Sequence, residues 1–266
     1  MKKRLDLILV ERRLVESRTK AQWLIKNGFV YVNGIKVLKP GTKVQNFFEI
    51  LLVEEFPYVG RGGLKLDAAL KFFSIEVKDR ICVDIGASIG GFTDCLVKSG
   101  ARRVYAVDTA INLLHPSLRC ENSKNKVIPL LGVDARVLDK LDDRVDLVTI
   151  DITFATIRSI LPNVKKYLKG NGDIIVLVKP IFETDFYREP KFEIITDSKR
   201  LYEILMDLLG WCSNNGFFPY NILKSPLLGK GGSIEFLIHL KLKSPEIDYN
   251  YQKELMKLIF KNKSTL

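Results

Sequence analysis

No stretch of this 266-residue chain approaches the ~18 consecutive apolar residues that a membrane-spanning helix needs. The start, Met1-Lys2-Lys3-Arg4, runs into a charged amphipathic segment instead of the apolar heart of a signal peptide, which reads as a cytoplasmic protein with no membrane partner. Histidine occurs only as His115 and His239, a spacing that builds no metal site. Cys82, Cys95, Cys120 and Cys212 form no C-x-x-C pair, and two of them fall in core-like runs, so they read as ordinary buried thiols. No metal is implied. Acidic residues are also short: 31 Asp plus Glu face 42 Lys plus Arg, a net charge of +11. Such an excess favours a polyanionic partner, with nucleic acid first and an acidic membrane surface as the rival.

What is present centres on Cys82-Val83-Asp84-Ile85-Gly86-Ala87-Ser88-Ile89-Gly90-Gly91-Phe92-Thr93. A β-branched run breaks into three glycines before Phe92, Leu96 and Val97 take up helical spacing, so strand, tight turn and helix N-terminus follow one another. Glycine tolerates positive φ and removes the Cβ that blocks close approach, which lets a ligand reach backbone N–H groups. The next apolar run, Val104-Tyr105-Ala106-Val107, ends in Asp108, where an open α/β nucleotide site places the acid that holds ribose hydroxyls. The turn lacks the G-x-G-x-x-G spacing that cradles a pyrophosphate, and Asp84 would repel one. An acid there suits a cationic amino-acid group, so S-adenosyl-L-methionine, with its ammonium, sulfonium and adenosine, is the cofactor expected. A purely structural strand-turn-helix is the alternative.

The N-terminal region predicts a helix carrying Leu5, Ile8, Leu9 and Leu14 inward, then a second from Arg18 to Asn27 with Ser17 as cap and Gly28 as stop. Phe29-Val30-Tyr31-Val32, the Asn33-Gly34 turn and Ile35-Lys36-Val37-Leu38 predict a hairpin. Through Gly60 there are 11 Lys plus Arg against 6 Asp plus Glu. This region resembles the αL RNA-binding module of ribosomal small-subunit protein four, through Arg4-Leu5-Asp6, Ser17-Arg18-x-x-Ala21, Ile25-x-x-Gly28-x-Val30-x-Val32-Asn33-Gly34 and Lys39-Pro40-Gly41. The likeness implies that Arg4, Arg18 and Lys20 line an edge suited to RNA phosphates. Composition shifts from Glu54 to Gly63, giving an RNA-binding domain over 1–59, a linker over 60–63, a larger domain over 64–242 and a basic tail over 243–266.

The larger domain predicts a helix from Leu64 to Phe73 with Leu64, Ala68 and Phe72 inward. Alternating units follow: strand Ile81 to Ile85, helix Phe92 to Ser99, and strands Val104 to Val107, Val127 to Leu131 and Leu147 to Ile150. Helix Ile157 to Leu168, strand Ile174 to Val178 and helix Ser198 to Asn214 complete the series. Alternation means a parallel sheet covered on both faces. Pro219 to Lys224 and Ile234 to Leu242 read as a closing antiparallel pair, so the fold class is α/β, a Rossmann-like S-adenosylmethionine-dependent methyltransferase domain behind a small α+β RNA-binding domain. The tail predicts a helix from Tyr251 to Lys263 that packs on the core.

Function in such sheets sits at the carboxyl ends of the strands. Asp151 ends one strand, Lys179 ends the next before Pro180, Glu235 opens the last, and Lys65 opens the helix before the first. Each alone has a bland reading, as an N-cap, an edge-strand charge or a solvated helix charge. Together they suit methyl transfer to a ribose 2′-hydroxyl. Burial and a second cation lower a lysine from its ordinary ~10.4, so Lys179 takes the proton while Lys65 supplies that charge and Asp151 and Glu235 orient the lysines.

At these residues the chain resembles the TlyA family of ribosomal RNA 2′-O-methyltransferases, which join the αL module to an FtsJ-like domain. The likeness is carried by Arg61-Gly62-Gly63-Leu64-Lys65-Leu66, Asp84-Ile85-Gly86-Ala87-Ser88-x-Gly90-Gly91-Phe92-Thr93-Asp94, Asp151-x-x-Phe154, Leu177-Val178-Lys179-Pro180-x-Phe182-Glu183, Gly210-Trp211 and Ser225-Pro226-x-x-Gly229-x-x-Gly232-x-x-Glu235-Phe236. It implies a Lys-Asp-Lys-Glu catalytic set at Lys65, Asp151, Lys179 and Glu235. It also implies cofactor contacts at Asp84, Gly86, Ala87, Ser88, Gly90, Gly91, Phe92, Asp108, Asp134 and Ala135, and RNA contact at Arg61. The implied reaction is cytidine 2′-O-methylation in ribosomal RNA or ribosomal subunits. Asp134 stands where the family has Asn, and Thr109 to Leu114 replace its usual sequence after Asp108. Two rival readings are an RNA-binding protein with a degenerate cofactor pocket and a membrane-active haemolysin, the label some family members carry. A pseudouridine synthase shares the N-terminal module but leaves the glycine turn and the lysines without a task.

Overall fold

The computed structural model describes residues 2–53, 56–119, 126–184, 194–246 and 249–260. By their internal packing, Met1–Arg61 and Gly62–Leu266 form two units. The first runs β1 (Lys2–Arg4), α1 (Leu5–Glu11), α2 (Arg18–Lys26), β2 (Val30–Val32), β3 (Ile35–Lys36), β4 (Lys43–Gln45) and β5 (Ile50–Leu52). Ser17 caps α2 by accepting from Lys20 N, and Asn33 and Gly34 both take the positive φ that a two-residue β2–β3 turn demands. Leu5, Ile8 and Leu9 of α1 meet Ala21, Leu24 and Ile25 of α2 over Val30 and Val32. Leu14, predicted inward, is 40% exposed. Arg13 at φ 57° follows the end of α1 at Glu11, so Leu14 is no longer in helical phase with Leu5 and Leu9.

The second unit runs α3 (Gly62–Phe73), β6 (Ile81–Ile85), α4 (Gly91–Lys98), β7 (Arg103–Asp108), β8 (Val127–Leu131), β9 (Val145–Ile150), α5 (Leu161–Val164), β10 (Leu168–Val178), α6 (Ser198–Asn214), β11 (Phe218–Lys224), β12 (Phe236–Lys241) and α7 (Tyr251–Phe260). Its seven strands lie in the order β11-β12-β10-β9-β6-β7-β8. β6 to β10 are parallel, and β12 is antiparallel to both β10 and β11. The chain winds outward from β6 through β7 to β8, then jumps back to β9 on the other flank of β6. The crevice between β6 and β9 is therefore the topological switch point, where open sheets bind ligands. At the opposite, amino edge Asp173 of β10 pairs with His239 (2.8 Å) and Lys241 (3.1 Å) of β12 and with Arg80 (2.6 Å), which ties the closing hairpin to the parallel strands.

Two predicted elements differ. The helix expected over 157–168 is a 3-10 turn at Ile157–Ser159, the four-residue α5, and the start of β10 at Leu168. Pro162 is the reason: in a continuous helix it would remove the bond to the residue 158 carbonyl and clash with it, whereas near the start of α5 it costs nothing. In α3 the inward stripe is Leu66, Ala69, Leu70 and Phe73, and Phe72 is 56% exposed. That i, i+3, i+4, i+7 stripe is the fuller apolar face, and Lys65, one turn before Ala69, is carried inward with it. Leu255 of α7 is buried in the same core as the sheet; the predicted extension of that helix beyond 260 lies outside the described residues, as does Cys120. Among the described residues no helix is long and apolar enough to cross a membrane, and no group of His, Cys, Asp or Glu is placed to hold a metal ion.

Candidate active site

β6 ends at Ile85, and the chain turns because Gly86 adopts φ 80°. The N–H groups of Gly86 and Ala87 both donate to Val107 O, at 2.9 and 3.1 Å, which ties the turn to β7. Asp151 N donates to Ile85 O at 2.9 Å, and a Cβ on Gly86 would lie 2.3 Å from Asp151 O. A side chain at 86 would thus force apart β6 and β9 at the switch point. Gly90, at φ 97°, is the N-cap of α4, and Ala87, Gly91 and Phe92 are buried beneath the turn. Asp108 Oδ2 accepts from Ser88 N and its Oδ1 from Ala110 N, both at 2.7 Å. Each oxygen keeps a lone pair for a ribose hydroxyl.

Asp84, the acid expected to face the ammonium of a cofactor, is fully buried, its Oδ2 accepting from Thr93 Oγ1 (2.6 Å) and its Oδ1 from Thr149 Oγ1 (3.0 Å). In a central strand the side chain points into the layer beneath α4, not along the strand toward the crevice. Burial pushes its pKa up to about 7 against those two hydrogen bonds, with the Asp151 charge adding to the rise. Ionising it costs the folded state free energy as pH rises from the unfolded carboxyl value near 4 through 7. Asp84→Asn, whose amide can serve both threonines, is expected to raise stability at pH 8 by up to about 4 kcal/mol, about three pKa units at ~1.36 kcal/mol each, and not at pH 4. Urea unfolding at the two pH values checks this; equal effects at both would show that Asp84 does not titrate in this range.

The four ionisable residues form two ion pairs. Lys179, which follows β10, places Nζ 2.6 Å from Asp151 Oδ1 and donates to Ile152 O at 2.9 Å. Lys65 of α3 pairs with Glu235 at the start of β12, with only 4% and 3% of these residues exposed. Two close approaches make room for the second pair. A Cβ on Gly229 would overlap Glu235 Oε1, and one on Gly62 would lie 3.3 Å from the Phe92 ring, so the start of α3 sits directly against the start of α4.

Other predicted contacts are already engaged. Asp134 is held by Arg136 through its N–H and guanidinium, a pair exposed enough to exchange at little cost, and Ala135 is buried beside it. In the N-terminal unit Arg4 and Arg18 converge on buried Asp6, at 2.9 and 3.2 Å, with Gln22 donating to the same carboxylate at 2.8 Å. Arg4 holds the Asp6 carboxyl well below the usual range, with help from Gln22 and Arg18. Lys20 pairs with Glu16 and lies 5.5 Å over the Phe56 ring. Arg61 is the last residue of the unit. Asp6, Thr93 and Thr149 were missed as organisers; the one signal for them is an acid or hydroxyl set within an apolar run.

A parallel sheet closed by an antiparallel hairpin, with a glycine turn after its first strand and an acid after its second, defines the Rossmann-type methyltransferase class. Residues 58–242 match the FtsJ-like methyltransferase family, and residues 3–47 match the S4 domain. The chain belongs to that methyltransferase family, in the branch that carries an S4 domain and includes TlyA. It is 39% identical over 244 residues to YqxC of Bacillus subtilis, a candidate rRNA methyltransferase by name, covering 90% of this chain and 85% of that one. It is 34% identical over 242 residues to the 16S/23S rRNA (cytidine-2′-O)-methyltransferase TlyA of Mycobacterium tuberculosis, covering 90% of this chain and 89% of that one. A solved structure from Streptococcus thermophilus that bears a hemolysin label superposes with a TM-score of 0.70 at 35% identity, over 98% of this chain and 96% of that one.

Proposed function

We propose that this enzyme methylates the ribose 2′-hydroxyl of a cytidine in ribosomal RNA, with S-adenosylmethionine as methyl donor. The observation that carries the reading is the Lys179–Asp151 pair at the switch point, beside a glycine turn whose Gly86 packs on the Asp151 backbone. The cofactor fits the residues present: the Gly86–Gly91 turn at the switch point with Ser88 and Ile89 exposed on it, spare acceptor capacity on Asp108 for ribose hydroxyls, and the exchangeable Asp134 for the adenine amino group, next to Ala135. When bound, it supplies an electrophilic methyl on a sulfonium.

The chain's part is to hold the hydroxyl and remove its proton. Lys179 Nζ donates to Ile152 O, and the ion pair with Asp151 Oδ1 at 2.6 Å fixes the same nitrogen at the switch point. In this reading Lys179 is the base that takes the proton of the nucleophilic hydroxyl as the oxygen becomes methylated. Lys65, fixed by Glu235, supplies positive charge for the neighbouring ribose or phosphate.

Arg4, Arg18, Lys20 and Arg61 hold the RNA in this reading, where the enzyme meets ribosomal subunits in the cytoplasm. Arg18→Ala is expected to weaken binding of ribosomal RNA and to reduce the slope of log K against log salt by about 1. An unchanged slope in a salt titration would remove Arg18 from the interface. The reading as a whole is tested by transferring labelled methyl from S-adenosylmethionine to unmodified ribosomal subunits, then digesting the RNA to nucleosides. Labelled 2′-O-methylcytidine is expected. Subunit binding without any transfer, and without heat of cofactor binding in calorimetry, would leave an RNA-binding protein with a degenerate pocket.

A further inference from the structure

The loop that follows Asp151 is pinned at both ends to the segment that follows Lys179. At one end Lys179 meets Asp151 and Ile152. At the other, Glu183 Oε2 accepts from Thr156 Oγ1 at 2.6 Å and Glu183 Oε1 from Ile157 N at 2.9 Å. Between the two ends the Phe154 and Phe182 rings lie 5.5 Å apart, and Phe154 is held at φ 63°, a backbone state that bulky residues rarely adopt. The Glu183 side chain is only 1% exposed, and Arg158 Nε lies 3.9 Å from it. Burial raises its pKa against the bonds from Ile157 and Thr156. A buried carboxylate is costly unless its bonds are made. Here both oxygens bind the one loop whose other end carries the acid that orients the proposed base.

We propose that Glu183 is a positioning residue for methyl transfer: it clamps the 151–157 loop onto the 179–183 segment and so fixes Asp151 and Lys179 relative to each other. It touches neither substrate nor cofactor. Its effect runs through the distance and angle of the Lys179–Asp151 pair, and the inference rests on the function proposed above. Thr156 is the second half of the clamp, because its hydroxyl both donates to Glu183 and accepts from Arg158 N at 3.3 Å, starting the 3-10 turn.

The test compares wild type, Glu183→Ala, Glu183→Gln and Thr156→Val in methyl transfer to unmodified ribosomal subunits, with thermal melting beside it. Misplacement of reacting groups by about 1 Å costs ~10²-fold, so Glu183→Ala is expected to lower kcat by about that factor while KM for S-adenosylmethionine stays within about twofold. Glu183→Gln keeps an acceptor for Ile157 N and a polar contact with Thr156, and is expected to recover kcat to within about threefold of wild type. A folded Glu183→Ala protein with wild-type kcat overturns the inference, as does a Glu183→Gln protein no better than Glu183→Ala. If Glu183→Ala fails to fold, Thr156→Val decides: a lowered kcat at unchanged KM supports the clamp, and a wild-type kcat overturns it. A wild type that transfers no methyl fails the functional reading itself, and the inference falls with it.

Discussion

Lys179→Ala is expected to lower kcat for methyl transfer by about 10²–10⁴-fold, the range that a positioned base contributes. Binding of S-adenosylmethionine and of ribosomal subunits should survive, because the glycine turn, Asp108 and the N-terminal arginines are untouched. Lys179→Arg should be no better than alanine: a guanidinium stays protonated at any working pH and offers no lone pair. The fold should tolerate both changes. Lys179 lies at a loop after β10 with 16% of its side chain exposed, and Asp151 keeps 25% of its own in reach of water once its partner is gone. A rate for Lys179→Ala within tenfold of wild type, measured at saturating substrates, would assign the proton to another acceptor or to solvent.

The second large effect concerns the other pair and appears first as stability. Lys65 and Glu235 are each almost wholly buried and lie 170 residues apart in sequence. Removing one partner leaves an uncompensated charge in the interior, so Lys65→Met or Glu235→Leu alone is expected to cost about 3–5 kcal/mol. The double replacement should recover most of that loss, since an apolar pair of similar volume often serves as well as a buried ion pair. Activity should not return with it. A doubly substituted protein that melts like wild type yet transfers little methyl would separate the two roles of this pair. Single variants as stable as wild type would mean that water reaches both groups in solution and that the pair is no structural tie. Urea unfolding and the methyl-transfer assay, run on the same four proteins, read out both quantities.

Much of the architecture was legible because it follows from local rules. The strands at Ile81–Ile85 and Val127–Leu131 and the helix at Ser198–Asn214 fall where apolar periodicity puts them, and Asn33-Gly34 turns as its φ preferences require. The failures came where a local signal met a competing one. Over 157–168 a helical apolar spacing met Pro162, and the missing N–H won. In α3 two apolar stripes were available, and only packing against the sheet chose between them.

The site divides along the same line. Residue types at the carboxyl ends of strands, together with glycines and an acid at fixed spacings, already picked out Lys65, Asp151, Lys179, Glu235 and Asp108, because the chemistry of a strand end depends on which residue terminates the strand. Which lysine meets which acid could not be read there. Lys179 faces Asp151 because β9 and β10 are adjacent and in register, and Lys65 faces Glu235 because α3 packs beside the antiparallel β12, so both pairings follow from strand order. Burial was likewise decided by the assembled layers: Asp84 is closed off by Thr93 and Thr149, and Glu183 is closed onto Thr156 and Ile157. Sequence by itself determined which groups stand at the mouth of the sheet. Tertiary structure alone decided their partners and their access to water, since those depend on contacts between segments tens of residues apart.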